Sequence, residues 1–232
     1  MTRIKQARTN EGRRPVLAVG RSAAYDPGCT RCPRLAEFLA EVHASYPDYW
    51  ARPVPSFGAA NPRIVLIGLA PGLHGANRTG RPFTGDYAGE LLYRTLYEAG
   101  LATRPESLAA DDRLELKQAR IINAVKCVPP ANKPLPDEIR ECNGYLRAEL
   151  AVLKGVRVVL ALGRVGHEAF LRASDLKRSH FPFGHGREHR LDETRHLIDS
   201  YHCSRYNTST GVLTEPMFRQ VVARARELAG IG

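Results

Sequence analysis

Four short runs rich in apolar and β-branched residues stand out along the chain: Arg63–Leu69 (RIVLIGL), Ile121–Val125, Val156–Leu162 (VRVVLAL) and the shorter His196–Ser200. None alternates apolar with polar positions, so each predicts a strand covered on both faces. Between them the apolar residues fall at three–four spacing. Tyr87–Ala99 predicts a helix ended by Gly100. Pro136–Leu153 predicts a long helix with Asp137 and Glu138 in its first turn, where the helix dipole favours acids. Val165–Ala173 and Glu215–Leu228 predict two more. Upstream, Cys32–Ala40 predicts a helix with Pro33 in its first turn, and Arg52–Gly58 reads as a loop from its prolines and glycine. Strands separated by helices imply an α/β fold: a three-layer α/β/α sandwich around a four-stranded parallel sheet.

The unusual residues follow the strands. The first runs into Ala70-Pro71-Gly72-Leu73-His74-Gly75, the second into Lys126-Cys127-Val128-Pro129-Pro130, the third into Gly163-Arg164 and the fourth into Tyr201-His202-Cys203-Ser204. Ligands of open α/β sheets bind outside the carboxyl ends of the strands, so these segments are expected to meet in one crevice. The first continues through Thr79-Gly80-Arg81-Pro82-Phe83-Thr84-Gly85-Asp86. It lacks the Gly-Lys-Ser/Thr ending of a phosphate-binding P-loop. A bland alternative stands beside each candidate: Phe83 as core, Asp86 as a helix N-cap, His202 as a packing histidine.

Composition adds a partner. The 232 residues carry a formal charge of +10, which points to a polyanion or to nothing more than a basic surface. Residues 1–27 are polar and basic and read as a flexible arm; 28–232 read as one domain. Met1–Arg14 has no apolar signal core and no run is long enough to span a bilayer, so a cytoplasmic protein is expected. Cys29-x2-Cys32 and Cys127-x14-Cys142 suggest one four-thiolate site tying the N-terminal segment to the body. The chemistry of four thiolates suits Zn²⁺ and an iron–sulfur cluster alike. Cys203 is the odd cysteine and reads as a small apolar packer. His185-x3-His189 has metal-like spacing, but no carboxylate pattern completes it.

Taken together, the two cysteine pairs, Gly68-Leu69-Ala70-Pro71-Gly72, Thr79–Asp86 and His202-Cys203-Ser204-Arg205-Tyr206-Asn207 resemble, in order, the family 5 branch of the uracil-DNA glycosylase superfamily. The resemblance runs from Cys29 to the C-terminus. It implies a monofunctional DNA glycosylase, nucleoid-associated, that flips out and excises uracil and other deaminated or damaged bases from double-stranded DNA; a monomer is expected. It implies a structural [4Fe–4S] cluster on Cys29, Cys32, Cys127 and Cys142. Asp86, Asn132 and His202 become the catalytic candidates: Asp86 and Asn132 for water, His202 for the departing base. Gly68, Ala70, Gly72, Phe83 and Asn123 become candidates for base binding, with backbone groups of Gly68 and Ala70 on its edge; of the two amides that could read the base, Asn132 matches the family pattern better than Asn123, which could simply anchor the second strand. Ser204, Arg205, Tyr206 and Asn207 become DNA contacts, with Arg205 and Tyr206 as the wedge. Uracil-specific families place a carboxylate or amide just after the first strand; Leu69 and Ala70 stand there instead. Gly72 offers no wall against a thymine methyl, which implies a wider pocket. Two competing readings remain: a non-catalytic lesion reader of the same fold, favoured by Leu69 and Ala70, and a small-molecule nucleotide hydrolase.

Overall fold

The computed structural model describes residues 25–232. The arm expected over residues 1–27 therefore lies outside the described residues except at its end, where the Tyr25 hydroxyl donates to the Pro53 carbonyl at 2.8 Å. The chain runs α1 (Pro33–Ser45), β1 (Phe57–Gly58), β2 (Ile64–Gly68), α2 (Ala76–Thr79), α3 (Tyr87–Glu98), β3 (Ala119–Asn123), α4 (Pro136–Val152), β4 (Val158–Leu162), α5 (Arg164–Ala173), β5 (Glu188–Arg190), β6 (His196–Ser200), α6 (Arg205–Ser209) and α7 (Glu215–Leu228).

The sheet has six strands in the order β1-β3-β2-β4-β6-β5. The expectation of four is corrected. The inner strands β3, β2, β4 and β6 are parallel, as the apolar runs predict, but a short antiparallel strand closes each edge. β1 lies inside the segment read as loop, and β5 is Glu-His-Arg. Two or three residues carry no period, and edge strands need no apolar face, so neither leaves a trace in the hydrophobic pattern.

Both faces of the sheet are covered. Ile64 and Leu66 of β2 pack with α3 and α7 residues such as Leu92, Leu96, Phe218 and Val222, whereas Val65 and Ile67 pack with Leu146 of α4 and Phe170 of α5. The period-two alternation of a strand thus feeds two cores from one wholly buried run. A third cluster joins α1 (Leu35, Leu39) to Val125, Val128 and Tyr145, with all four paired cysteines in or against it. Two ion pairs back this joint. Arg34 makes a bidentate pair with Glu138 at 2.8 and 2.7 Å, and Arg31 lies 3.5 Å from Glu141. Among the described residues, no helix is long and apolar enough to cross a membrane.

Candidate active site

The segments after three of the four parallel strands, β2, β3 and β6, meet in a cleft of about 380 Å³ lined by Leu69, Ala70, Gly72, Ala76, Phe83, Asp86, Ala88, Asn132, His202 and Ser204. The segment after β4 does not line it: Gly163 packs against His202 instead. Asp86 divides its carboxylate between two tasks. Oδ1 caps α3, accepting from the Gly89 amide at 2.9 Å. Oδ2 faces the turn after β2: a Cβ at Gly72 would stand 3.2 Å from it, and one at Gly75 would collide with it. Burial raises the Asp86 pKa above the usual carboxylate value, with the charge of Glu90 adding to the rise and the Gly89 hydrogen bond opposing it.

Asp86 and Phe83 are held from behind by Arg81. Its buried guanidinium donates from Nε to Thr84 Oγ1 (2.9 Å), from Nη1 to Asp112 Oδ1 (2.9 Å) and the Ala110 carbonyl (3.4 Å), and from Nη2 to Ser107 Oγ (2.7 Å) and Asp112 Oδ2 (2.6 Å). All five donors of the fork are engaged. The Arg81 ion pair and hydrogen bonds to Leu108 and Leu114 amides drive the Asp112 pKa far below the carboxylate range against the opposing effect of burial. Tyr93 adds a hydrogen bond from its hydroxyl to the Pro82 carbonyl at 2.8 Å. The clamp maintains Phe83 at φ +53°, a left-handed conformation that a bulky residue rarely adopts.

Phe83 closes the floor of the cleft. Its ring stacks on His202, with centroids 5.9 Å apart and an interplanar angle of 28°. It also lies against Gly68, where an added Cβ would stand 2.7 Å from the ring and 2.7 Å from Asn123 Oδ1. The Gly68 carbonyl accepts from the Ala124 amide at 2.9 Å, and the missing side chain of Gly68 makes room for the Phe83 ring. Leu69 is in the same position, its carbonyl taken by Val125 N at 3.0 Å. Asn123 is 2% exposed, and its Oδ1 has no hydrogen-bond partner. A buried amide oxygen left in this state marks a place for a donor.

His202 lies at the end of β6 against Gly163, and its backbone carbonyl accepts from Asn207 Nδ2 at 2.8 Å. Desolvation lowers its pKa to about 4, so the imidazole is neutral at physiological pH. Ser204 caps α6 through Asn207 N at 3.4 Å. Arg205 lies over the Tyr87 ring at 5.9 Å, and Tyr206 projects with 74% of its surface exposed. Cys203 is fully buried; burial and the nearby Asp86 charge push its thiol up to about 12.

Asn132 reaches the cleft from the Pro-rich loop, in a 3-10 turn over Pro130–Asn132 where Ala131 and Asn132 both take positive φ. The start of the same loop belongs to a second, enclosed cavity lined by Cys29, Cys32, Cys127 and Cys142 together with Leu35, Val125 and Tyr145. The Lys126 amide donates to Cys142 Sγ at 3.2 Å. Burial and mutual repulsion raise the Cys32, Cys127 and Cys142 thiols, Cys32 to about 11. Among the described residues, no three His, Cys, Asp or Glu side chains are arranged to hold a single metal ion.

His185 and His189 do not enter the cleft. His185 accepts from the Tyr201 amide at 3.1 Å and stacks on the Tyr201 ring, while His189 lies 3.7 Å from Asp199. Asp199 is bound instead to His167 at 2.7 Å, a buried pair that the sequence did not single out. The Arg81 clamp was missed too. Its partner Asp112 stands 31 residues away in an aperiodic segment, and no spacing signals it.

Comparison with known proteins meets this geometry from another side. A model of the uracil DNA glycosylase superfamily matches residues 55–226, which run from β1 into α7 and so include every wall of the cleft. The chain is 50% identical over 208 residues to a type-5 uracil-DNA glycosylase of Thermus thermophilus, covering 88% of this chain and 94% of that one. It is 40% identical over 207 residues to a type-5 enzyme of Pyrobaculum aerophilum, covering 87% and 89%. A type-4 uracil-DNA glycosylase of Archaeoglobus fulgidus is 30% identical over 138 residues, 59% of each chain. With the cleft's residues and nearly the whole fold inside these matches, the chain belongs to the uracil-DNA glycosylase superfamily and, within it, to the type-5 branch.

Proposed function

We infer that this protein is a DNA N-glycosylase that excises uracil from DNA by hydrolysis of the N-glycosyl bond, in repair. The observation that carries the chemistry is Asp86: one oxygen is fixed by Gly89 N, and the other stands beside two glycines in a cleft that also holds His202. This carboxylate supplies what Leu69 and Ala70 lack, so the non-catalytic reading is set aside.

The base leaves the duplex before reaction, at a cost of a few kcal/mol that is smallest for mispaired bases. Tyr206, with Arg205, fills the vacated stack, and basic side chains hold the phosphates. The flipped base lies on Phe83. Asn123 is the amide best placed to read its edge, since Oδ1 is unpartnered and can accept an N–H, while Nδ2 can donate to a carbonyl. Breaking the glycosidic bond leaves positive charge on the sugar and negative charge on the base. His202 donates to the base oxygen as a neutral imidazole, which avoids burying a cation. Asp86 orients and deprotonates the attacking water and faces the positive sugar; Asn132, from the opposite loop, shares that water. The turn at Gly72 leaves room for bases larger than uracil, and we propose that hydroxymethyluracil, ethenocytosine, hypoxanthine and mispaired thymine are also removed.

The four thiols suit a [4Fe–4S] cluster. They line one cavity, with a backbone amide already directed at Cys142 Sγ. Cys29, Cys32, Cys127 and Cys142 would hold it, and it would supply a rigid tie between α1 and the loop that carries Asn132. We propose that the protein acts as a monomer on double-stranded DNA in the nucleoid.

The test is excision from duplex oligonucleotides with uracil, hypoxanthine or thymine opposite guanine, followed by alkali cleavage. Strand breaks at uracil and at one larger base are expected. Asp86→Ala is expected to bind the same duplex and leave it intact. Equal single-turnover rates for Asp86→Ala and parent would remove Asp86 from the mechanism.

A further inference from the structure

One aromatic cluster belongs to neither the core nor the cleft. Where α1 ends, the chain turns through Tyr46-Pro47-Asp48-Tyr49-Trp50. The rings of Tyr46 and Tyr49 stack, with centroids 4.6 Å apart and planes 18° apart. His74 stands edge-on to both, at 5.6 and 6.0 Å, and its Nδ1 lies 2.9 Å from the Tyr49 hydroxyl. None of these three side chains belongs to the three buried clusters of the fold. Tyr46 keeps 40% of its surface in solvent despite its stacked neighbour, and His74 is exposed.

The cluster is continuous with the cleft. His74 sits in the turn whose flanking glycines, Gly72 and Gly75, face Asp86. Arg78, one turn further on, donates from Nε to the His74 carbonyl at 2.8 Å. Its guanidinium then passes over Gly85, beside Asp86, so closely that a Cβ at Gly85 would collide with Nη2. An exposed strip therefore runs from the lip of the cleft through Arg78 and His74 to the stacked tyrosines.

The chemistry of the strip selects its occupant. Aromatic faces in water beside a guanidinium suit nucleobases and a phosphate. Duplex DNA already stacks its bases on one another and offers no free π-face at this distance from a flipped nucleotide. A single strand does. Asp48 on the same turn disfavours phosphate there, so base stacking rather than charge is the contact the tyrosines can make.

We propose that Tyr46, Tyr49, His74 and Arg78 form a stacking platform for single-stranded DNA next to the lesion, which lets the protein hold uracil in unpaired as well as paired strands. The link to a lesion rests on the glycosylase reading of the cleft. The test is equilibrium binding of the full chain to a uracil-free single-stranded oligonucleotide and to the matching duplex, for the parent, Tyr46→Ala and Tyr46→Phe. Tyr46 is chosen because its contacts are stacking alone, whereas Tyr49 is hydrogen-bonded to the active-site turn. Tyr46→Ala is expected to weaken single-strand binding by about tenfold, with the duplex affinity and the melting temperature unmoved and Tyr46→Phe at the parent's value. Single-strand binding unchanged in Tyr46→Ala, or lost equally for both DNA forms, would overturn the platform. Single-turnover excision of uracil from duplex by the parent is measured beside it. Absence of cleavage there would sink the glycosylase reading alone, because the binding comparison uses DNA without uracil.

Discussion

The cysteine-lined cavity and the cleft sit at two points on one Pro-rich loop, and they are built on opposite plans. Cys127 opens the loop in an enclosed space shared with three more thiols, Leu35, Val125 and Tyr145. Five residues on, Asn132 stands in an open cleft among one carboxylate, one imidazole and apolar walls. The cavity repeats one group around a centre, and its side chains need only be near each other. The cleft gathers unlike groups from separate strand ends, and two of them have shifted ionisation: Asp86 is raised and His202 lowered, both chiefly by burial. A site that holds an object uses repetition and closure. A site that performs chemistry uses contrast and access.

The largest effect should come from breaking the cavity. Cys142→Ala is expected to give protein without iron that melts at a much lower temperature or fails to accumulate. Cys203→Ala, a buried thiol outside the cavity, should show only the modest loss of an ordinary core truncation. Equal melting shifts in the two variants would show that the cavity holds nothing.

Next comes the clamp behind the cleft. Arg81→Met leaves Asp112, Ser107 and Thr84 without their donor. Breaking a buried ion pair of this kind costs about 3–5 kcal/mol. For a chain of this size that corresponds to a fall in melting temperature of roughly 6–20 °C, read by calorimetry. Excision should fall with it, because Phe83 and Asp86 lose their support.

A pH profile sharpens the contrast inside the cleft. In the proposed mechanism Asp86 works as a carboxylate, so single-turnover excision should drop as pH falls through a midpoint above the ordinary carboxylate value. His202 is neutral down to about pH 4, so no limb is expected near pH 6.5, where a solvated histidine titrates. Asp86→Asn should keep the α3 cap through its amide oxygen, abolish the acid limb and slow the reaction about 10²–10⁴-fold. The same lowered histidine carries a stability cost in acid. Below pH 6.5 the unfolded chain takes the proton first, so folding weakens as pH falls from 6.5 toward 4. His202→Gln should flatten that part of the stability curve.

The smallest effect concerns base choice. Gly72→Ala would place a Cβ 3.2 Å from Asp86 Oδ2. Uracil excision should slow by only about threefold while hypoxanthine excision falls further, since one methyl group shifts such discrimination modestly. Parallel losses for both bases would show that the Gly72 turn does not set pocket width.

Much of this was legible from pattern alone. The four inner strands, five helices and the convergence of motifs at the carboxyl ends follow from apolar runs and their spacing. The cysteine cavity follows from residue type, because thiols with two-residue spacing are rare without a purpose. What escaped has a physical reason in each case. β1 and β5 are too short to show a period, and β5 is wholly polar. α2 and α6 are four and five residues long, set by caps and turns rather than by an apolar stripe. The Arg81 clamp depends on Ser107 and Asp112, which reach it from a segment without regular structure. The division of labour between Asn123 and Asn132 was not legible either. One is buried beside Gly68 with an idle oxygen and the other sits exposed on a turn, and residue type does not distinguish the two.

Phe83 has a consequence of its own. A phenylalanine held at φ +53° costs on the order of 1–3 kcal/mol, and the Arg81 network on the neighbouring Thr84 supports it there with protein contacts alone. In the proposed mechanism, the ring that receives a base is thus positioned by the fold itself. The entropy of ordering that surface is met once, when the chain folds, and not at every encounter. Free energy released on capture can then go into drawing the base from its helix, the step that a slack receiving surface would make slower and less selective.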